Sequence, residues 1–416
     1  MFTKIKCGKL YDGVTPRLWE NKEILIEDNV IREVGYGLPE PQGVEIRDLS
    51  ELTVTPGMID GHVHPQFFDY RELYNEYVCL SDGYRALATA SCARKTLLGG
   101  FTTIRSMGWF SEAYELDVKR AIEDGKIEGS RLVVGSHFLC TPGSAGDSSQ
   151  SLSANPYLSD YLMKMCPTCG SGADFFTNVV RREKKMGCDF IKIFGSGGFA
   201  TPCDDPEDIQ LNDSEFNAIF STAKELRIPV TAHVYAPVMM KKLLKYNIFC
   251  MEHGALMDDE TARMIEGSGV YLVPTFMPYE DIVNPNEESL SKKSDFFRRK
   301  LEKYQRRLQE GREIIINSKI KLGYGTDIVD VYNNYESGWE YNCWLKNGVD
   351  PFRALEAATS INAEICGISD KLGNITPGKL ADISGWKRDL LKDPDALRDC
   401  AFVMKDGVEY LTESRV

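Results

Sequence analysis

The chain lacks the features that would tie it to a membrane or to nucleic acid. Its 49 lysines and arginines stand against 62 acidic residues, for a net charge of −13, so no basic face for phosphate groups is expected. No apolar run approaches the roughly 18 residues of a membrane span. The start, Met-Phe-Thr-Lys-Ile-Lys, has no apolar stretch typical of a secretory signal. We therefore expect a cytoplasmic protein with a small-molecule substrate and no nucleic-acid or membrane partner.

Regularly spaced cysteines are also missing. The 12 cysteines among 416 residues follow no repeated interval, which is typical of reduced thiols in a cytoplasmic protein. The one CxxC motif, Cys166-Pro-Thr-Cys169, has no second pair at the spacing of a zinc ribbon. A loop with two thiols is the simpler interpretation, and metal binding or redox chemistry is the alternative.

The middle of the chain alternates short β-branched or aromatic runs with longer helical stretches. This pattern predicts an α/β fold, a (β/α)8 TIM-like barrel. The eight runs are VTPGMIDGHVH, GFTTIRSM (100–107), RLVVGSHF (131–138), CDFIKIFG (188–195), IPVTAHVY (228–235), NIFCMEH (247–253), GVYLVPTF (269–276) and IKLGYGTD (320–327).

The two ends of the chain share a different pattern of short strands and turns. Near the start, KEILIEDNVIREVG predicts a strand, an Asp-Asn turn and a second strand. We expect the ends to pair into one small β-sandwich domain, 1–55 plus 369–416, beside a barrel domain, 56–368. The segment FRALEAATSINAEICGI, after Asp350-Pro, predicts a helix.

Histidine is rare, and four of the five histidines fall at the ends of predicted strands. His62 and His64 end the first run, His233 the fifth and His253 the sixth, while Asp327 ends the eighth. The carboxyl ends of barrel strands converge on the face where active sites lie. The i, i+2 spacing also puts His62 and His64 on one side of a strand. Each histidine alone is more simply structural, but together with the aspartate they predict a metal centre.

Lys192 interrupts the apolar run FIKIF of the predicted fourth strand. Burying an unpaired ammonium costs several kcal/mol, so the lysine could instead be ion-paired, reach the surface or lie on an edge strand. Alternatively, burial beside cations lowers its pKa, and the neutral amine takes up CO2 to become a carbamate. A carbamate has two oxygens and can bridge two metals. The residues alone leave these alternatives open.

The ordered set His62-Val63-His64, Lys192, His233, His253 and Asp327 resembles the amidohydrolase superfamily, in the subgroup with two metals bridged by a carboxylated lysine. The segments TVTPGMIDGHVH, LLGGFTTIRSMG, FIKIFGSGG, MEHGALMDDETARMI and ITPGKLADI are similar to one branch of that superfamily. It contains Xaa-Pro and Xaa-Arg dipeptidases, arginine carboxypeptidase-like enzymes and ochratoxin-type amidases. The resemblance extends over nearly the whole chain.

The resemblance implies the ligand set and the reaction. His62, His64 and Asp327 would hold one divalent metal, His233 and His253 the other, and carboxylated Lys192 both. Zinc is the first expectation, with cobalt and manganese left open. A hydroxide bridging the metals would attack the carbonyl of a linear amide or peptide bond. Asp327 would act as general base and then as general acid toward the leaving nitrogen.

The substrate is less well specified by the sequence. Tyr235, in the HxY position after His233, is expected to bind the substrate carboxylate or carbonyl, as in dipeptidase-like relatives. Those relatives usually carry a histidine in a Gly-rich segment after strand three, where this chain has CTPGSAGDSS (140–149). His137 could substitute for it. A second departure is IRSMG, where relatives tend to have an aspartate after the arginine.

Several activities therefore remain open. The first is a dipeptidase, carboxypeptidase or N-acyl amino acid hydrolase. Neutral aryl amides, carbamates or ureas are alternative substrates, and a lactonase or phosphotriesterase would use the same metals. A mononuclear heterocycle deaminase is disfavoured by HVYAP, which lacks the usual glutamate, and by Lys192. A non-catalytic scaffold is disfavoured because all six ligand positions are filled. Relatives often assemble, so a homo-oligomer is possible.

Overall fold

The computed structural model describes residues 1–65, 80–108, 114–135, 137–147, 149, 155–284, 287–291, 293–328 and 333–411. The chain begins with five strands, of which β1 is central. They are β1 (Phe2–Leu10), β2 (Trp19–Glu20), β3 (Glu23–Glu27), β4 (Val30–Gly35) and β5 (Glu45–Pro56). The predicted hairpin is confirmed, since β3 and β4 pair antiparallel. Asp28 in its turn has a left-handed φ of 55°, which suits an aspartate.

The next nine strands are parallel. They are β6 (Met58–Val63), β7 (Phe101–Ser106), β8 (Arg131–Val134), β9 (Phe138–Leu139), β10 (Ile191–Phe194), β11 (Val230–Val234), β12 (Cys250–His253), β13 (Tyr271–Val273) and β14 (Lys321–Leu322). Strands β6, β7 and β8 form one sheet, and β9 to β14 form another in chain order. Because β8 and β9 lie in the single predicted run RLVVGSHF, the nine strands correspond to the eight predicted ones.

Backbone hydrogen bonds join the two parallel sheets at both edges, which closes them into a barrel. At one junction, the N–H of Asp189 donates to the carbonyl oxygen of Val134 at 2.8 Å. At the other, the Gly61 N–H donates to Tyr324 O, and the Asp327 N–H donates to His62 O, both at 2.8 Å. The second junction fixes Asp327 directly beside the first histidine strand.

Helices alternate with the barrel strands. They are α1 (Asp82–Leu98), α2 (Tyr114–Glu123), α3 (Pro156–Met165), α4 (Ala173–Met186), α5 (Asp213–Glu225), α6 (Pro237–Lys245), α7 (Asp259–Ser268), α8 (Glu280–Val283), α9 (Glu287–Ser291), α10 (Asp295–Asn317), α11 (Gly338–Lys346), α12 (Pro351–Glu356) and α13 (Asn362–Ile365), with short 3-10 turns at Met277–Tyr279 and Ala396–Arg398. Apolar faces of α4 to α7 and of α10 to α12 pack with the strands in one large core, whereas α1 and α2 pack on β6 to β8 in a smaller one. No helix in the described ranges is long and apolar enough to cross a bilayer.

The predicted helix after Asp350-Pro carries the residue that seals the second junction. Asp350 caps α12 by accepting hydrogen bonds from the backbone of Phe352 and Arg353, and a π-helical turn at Ala357–Ile361 continues it into α13. The Asn362 side chain donates to the carbonyls of Ile59 and Tyr324, both at 2.7 Å. One buried amide therefore satisfies backbone groups of both strands.

The last three strands return to the first five. Strands β15 (Ile383–Trp386), β16 (Cys400–Lys405) and β17 (Val408–Leu411) join them in an eight-stranded sheet of order β17-β16-β15-β5-β1-β3-β4, with β2 beside β1. Strands from both chain ends enclose a separate apolar core. The expected pairing of the two ends is confirmed. The domain boundaries stay a prediction, and residues 66–79 and 412–416 of those domains lie outside the described ranges.

Candidate metal centre

Four histidines from three strands meet at the carboxyl ends of the barrel strands. His62 lies in β6 and His64 one residue beyond it, while His233 lies in β11 and His253 ends β12. The ring centroid of His62 lies 5.6 Å from that of His64 and 5.0 Å from that of His253. The ring centroids of His233 and His253 are 4.6 Å apart. His62 and His64 therefore face the same space as His233 and His253, which come from two other strands of the barrel.

Asp327, which follows β14, approaches the same group. Its Oδ1 lies 3.4 Å from Nε2 of both His62 and His64, and its Oδ2 lies 3.9 Å from Nδ1 of His253. One donor atom from each of His62, His64 and Asp327 lies within 4.8 Å of the others. Burial raises the pKa of Asp327, but the charge of His62 and the hydrogen bonds of His62 and His64 outweigh it and hold the pKa well below its ordinary value.

Lys192 is buried in β10, 2 % exposed, and its register pairs it with Phe138 and Thr231 on the flanking strands. Its charge acts on all four histidines of the centre. Burial lowers the pKa of Lys192 to about 8, although the nearby carboxylates of Glu252 and Asp327 oppose the shift. An amine with this pKa is neutral in an appreciable fraction of molecules near pH 7 to 8.

His233 supplies an observation that bears directly on metal binding. Its Nε2 is buried and makes no hydrogen bond to any described residue. Burial, followed by the charge of His253, holds the pKa of His233 well below its ordinary value, so the imidazole is neutral. A buried imidazole nitrogen without a partner costs free energy unless something occupies it. Neutral imidazoles beside an anionic carboxylate are the donors that zinc-like divalent cations prefer, so this set fits such an ion.

The histidines are held in place by partners that the sequence analysis did not identify. His62 Nδ1 lies 2.8 Å from Glu252 Oε2, and Arg105 Nη1 donates to Glu252 Oε1 at 3.0 Å. His64 Nδ1 lies 3.0 Å from the carbonyl oxygen of Gly108, and His253 Nδ1 lies 2.7 Å from Thr275 Oγ1. Bonds of this kind fix the ring orientation and leave Nε2 of His62 and of His64 facing Asp327. The one sign of these partners in the sequence was Glu252, an acidic residue within the apolar run NIFCMEH.

Three residues at or after the ends of strands near the centre have a positive φ, which residues other than glycine rarely adopt. The φ angles are +71° at His253, +46° at Thr275 and +49° at Asp327. Thr275 is β-branched, for which a positive φ is a pronounced outlier. Local strain of this kind concentrates at functional sites, where the surrounding structure stabilises it.

Tyr235 and His137, the two predicted substrate residues, have different surroundings. Tyr235 stacks on His253 at a centroid distance of 5.1 Å, contacts His233 edge-on at 4.8 Å, and shares a hydroxyl hydrogen bond with Tyr279. Tyr279 was not identified from the sequence. His137 Nδ1 instead lies 3.0 Å from Glu183 of α4. The substrate role of His137 stays a prediction.

Barrel enzymes carry their active sites at the carboxyl ends of the strands. This barrel gathers histidine, aspartate and lysine side chains at that face, as an enzyme of this architecture does. The chain belongs to the amidohydrolase family, whose model matches residues 53–412. It is 25% identical to the ochratoxinase of Aspergillus niger over 412 residues, covering 94% of this chain and 82% of the relative. The protein is accordingly a hydrolase that acts on C–N bonds of the amide or peptide type, in a family that generally uses divalent metals.

Solved structures of hydrolases also resemble this chain. A Xaa-Pro dipeptidase with methionine bound in its active site superposes with a TM-score of 0.88 at 26% identity, covering 99% of this chain and 100% of the other. A phenylurea hydrolase B superposes with a TM-score of 0.78 at 17% identity, covering 99% and 97%. The second likeness shows the fold alone.

Proposed function

We propose that this protein is a binuclear metal-dependent amidohydrolase that cleaves a linear amide or peptide C–N bond. The observation that carries the proposal is the convergence of four imidazoles, one carboxylate and one buried lysine at a single barrel face. His62, His64 and Asp327 would hold one ion, His233 and His253 would hold the other, and a CO2-derived carbamate on Lys192 would supply oxygen ligands to both. Zn2+ is the proposed ion. We further propose a cytoplasmic location and leave open a homo-oligomer.

The chemistry divides between the ions and the side chains. Two bound divalent cations supply Lewis-acid polarisation of the substrate carbonyl and lower the pKa of the attacking water. Asp327 accepts the proton of that water, and its lowered pKa keeps it ionised for this task. Asp327 then delivers the proton to the leaving nitrogen, because an amide amine leaves poorly unless it is protonated. Glu252 and Arg105 take no proton and keep His62 oriented.

Tyr235 is the proposed substrate-binding residue. It contacts two histidines of the centre, and its hydroxyl is positioned by Tyr279. With Phe199 these tyrosines form an aromatic cluster beside the centre. Such a wall favours a substrate with a flat or apolar group next to the scissile bond. Relatives that carry the names ochratoxinase and Xaa-Pro dipeptidase support amide and dipeptide substrates as the first to test.

A turnover screen of the metal-loaded protein tests the proposal. Its panel contains Xaa-Pro and Xaa-Arg dipeptides, N-acyl amino acids, aryl amides, carbamates and aryl ureas. We expect hydrolysis of at least one amide class, abolished by chelation and restored by Zn2+. Activity restricted to neutral substrates would favour the alternative class of aryl amides, carbamates or ureas. That outcome would agree with segment 140–149, which contains no histidine to bind a substrate carboxylate. Heterocycle deamination without amide hydrolysis would contradict the proposal.

Glu252→Gln is expected to weaken metal binding without removing any ligand. The amide keeps the volume but loses the charge that orients His62 and compensates Arg105. Changes of this kind lower metal affinity about 10- to 100-fold. Metal content measured against a graded series of chelator concentrations checks the prediction. Glu260→Gln, at an exposed glutamate of α7, is the control and should bind metal like the wild type. If Glu252→Gln bound metal as tightly as Glu260→Gln, the proposed role of Glu252 in orienting His62 would be wrong.

A further inference from the structure

The loop that follows β10 passes close to the buried ring nitrogen of His233. A Cβ placed on Gly198 would lie 3.4 Å from His233 Nε2 and 3.5 Å from Ala145 Cβ. That Nε2 makes no hydrogen bond to any described residue. Gly198 therefore borders the space next to this nitrogen, and a residue without a side chain keeps that space open on the side of the loop.

The next residue of the loop belongs to the aromatic cluster beside the centre. Phe199 is 1 % exposed and meets the ring of Tyr235 edge-on at a centroid distance of 4.9 Å. It also contacts Tyr279 at 5.6 Å and Tyr304 of α10 at 5.8 Å. The loop therefore forms two parts of one wall, an opening at Gly198 and an aromatic face at Phe199.

A buried ion pair holds both backbone groups of Gly198. Asp204 Oδ2 accepts a hydrogen bond from the Gly198 N–H at 2.9 Å, and Lys300 Nζ donates to Gly198 O at 2.7 Å. Lys300 Nζ lies 3.0 Å from Asp204 Oδ1, and the two side chains are only 12 % and 3 % exposed. Lys300 also donates to Thr201 O at 2.6 Å. Because Lys300 lies on α10, a helix far along the chain fixes the position of this loop.

The same ion pair is connected to the segment that faces Gly198. Gln210 donates from Nε2 to Asp204 Oδ2 at 3.0 Å, and its Oε1 accepts from the Ala145 N–H at 3.1 Å. Thr141 Oγ1 donates to Gln210 O at 2.9 Å. Segment 140–149 is the one in which dipeptidase-like relatives usually carry a substrate-binding histidine. One polar network thus holds both loops that border the space next to His233.

We propose that Lys300 and Asp204 are positioning residues of the substrate site. Their ion pair fixes loop 198–204 and thereby sets how wide a group fits between Gly198, the aromatic cluster and the proposed ions. A buried ion pair is favourable only when further hydrogen bonds satisfy both groups, and here those bonds converge on one glycine. The expected substrate carries a flat group beside the scissile bond. This substrate role rests on the proposed function, whereas the positioning of Gly198 does not.

Hydrogen exchange in the full-length protein tests the positioning. Lys300→Met, Asp204→Asn and the double variant should all exchange faster than wild type in peptides that cover residues 197–205. Removing one partner leaves a buried charge and destabilises the fold, whereas removing both restores much of the stability. The double variant should therefore regain melting temperature but keep the fast exchange. Lys303→Met is the matched control, because Lys303 pairs with the same loop through Asp205 at 2.8 Å but is 60 % exposed.

Two hydroxamates of different width test the substrate role in zinc-loaded protein. Both bind zinc through the same two oxygens, but benzohydroxamate adds a flat ring and acetohydroxamate only a methyl group. Isothermal titration calorimetry should show that benzohydroxamate binds about 10-fold more weakly to Lys300→Met and to the double variant, because its ring loses the aromatic wall. The affinity for acetohydroxamate and the zinc content should not change, and Lys303→Met should bind both compounds like the wild type.

Each part can fail separately. Wild-type exchange rates in the double variant would overturn the positioning of Gly198. Equal weakening of both hydroxamates, or a benzohydroxamate affinity that recovers together with the melting temperature in the double variant, would overturn the substrate role and leave a contribution to stability alone. Zinc-loaded wild-type protein that bound neither hydroxamate would contradict the proposed function and the substrate role with it, while the exchange rates would still decide the positioning.

Discussion

Lys192→Ala is expected to abolish most of the activity and to release both proposed ions. The substitution removes the one group that is proposed to bind both metals, so the loss should exceed that from any single histidine. Lewis-acid and water activation contribute several kcal/mol, which corresponds to a fall in kcat/KM on the order of 10³ or more. Steady-state kinetics and metal content per chain measure the two effects.

Rescue by a small carboxylic acid would separate the proposed carbamate from a structural role of Lys192. Alanine would leave a space beside the proposed ions that acetate or propionate can enter. The carboxylate of the added acid would then replace the two oxygens of the proposed carbamate. Partial recovery of metal and turnover with added propionate is the expected result. Lys405→Ala is the matched control, because Lys405 is also buried, 6 % exposed, and donates to Gly129 O. Full activity of Lys192→Ala, or equal losses in both variants, would contradict the proposal.

Asp327→Asn is expected to lower turnover of an amide about 10²- to 10⁴-fold while part of the metal remains bound. The asparagine keeps the shape and one oxygen near His62 and His64, but it cannot accept a proton and deliver it to nitrogen. Hydrolysis rates at saturating substrate, together with metal content, measure the effect. Asp259→Asn, at an exposed aspartate of α7, is the control and should leave the rate unchanged.

The leaving group offers a second test of Asp327. An activated aryl ester expels a stable phenolate that does not need protonation, whereas an amide nitrogen does. We therefore expect Asp327→Asn to lose less activity on the ester than on the matched amide. Equal losses on both would assign Asp327 to metal binding alone, and unchanged amide turnover at full metal content would eliminate the proton-transfer role.

The barrel and its centre were predictable because both depend on local patterns. Each strand run is short, apolar and bounded by turn residues, so it is recognisable without its neighbours. In a barrel of parallel strands, residues that end different runs must reach the same face. For that reason His62, His233, His253 and Asp327 could be grouped from their positions within the runs alone.

The network around His62 could not be predicted in the same way. Glu252 and Arg105 lie in different strands, and only the register of the closed barrel brings Glu252 to His62 and Arg105 to Glu252. Tyr279 lies on a 3-10 turn after β13, and nothing in the local sequence indicates that it meets Tyr235. The backbone bridge between Cys140 and Cys169 of the CxxC motif is similar, because it joins segments that lie far apart in the sequence.

The sequence alone determined the alternation of strands and helices, the family resemblance and the identity of six candidate ligands, because these depend on periodicity, composition and residue order. Only the tertiary structure decided which groups orient those ligands and where His137 lies. Those contacts are set by side-chain direction and packing between segments far apart in the chain. Periodicity along the chain carries no information about such contacts until the barrel is closed.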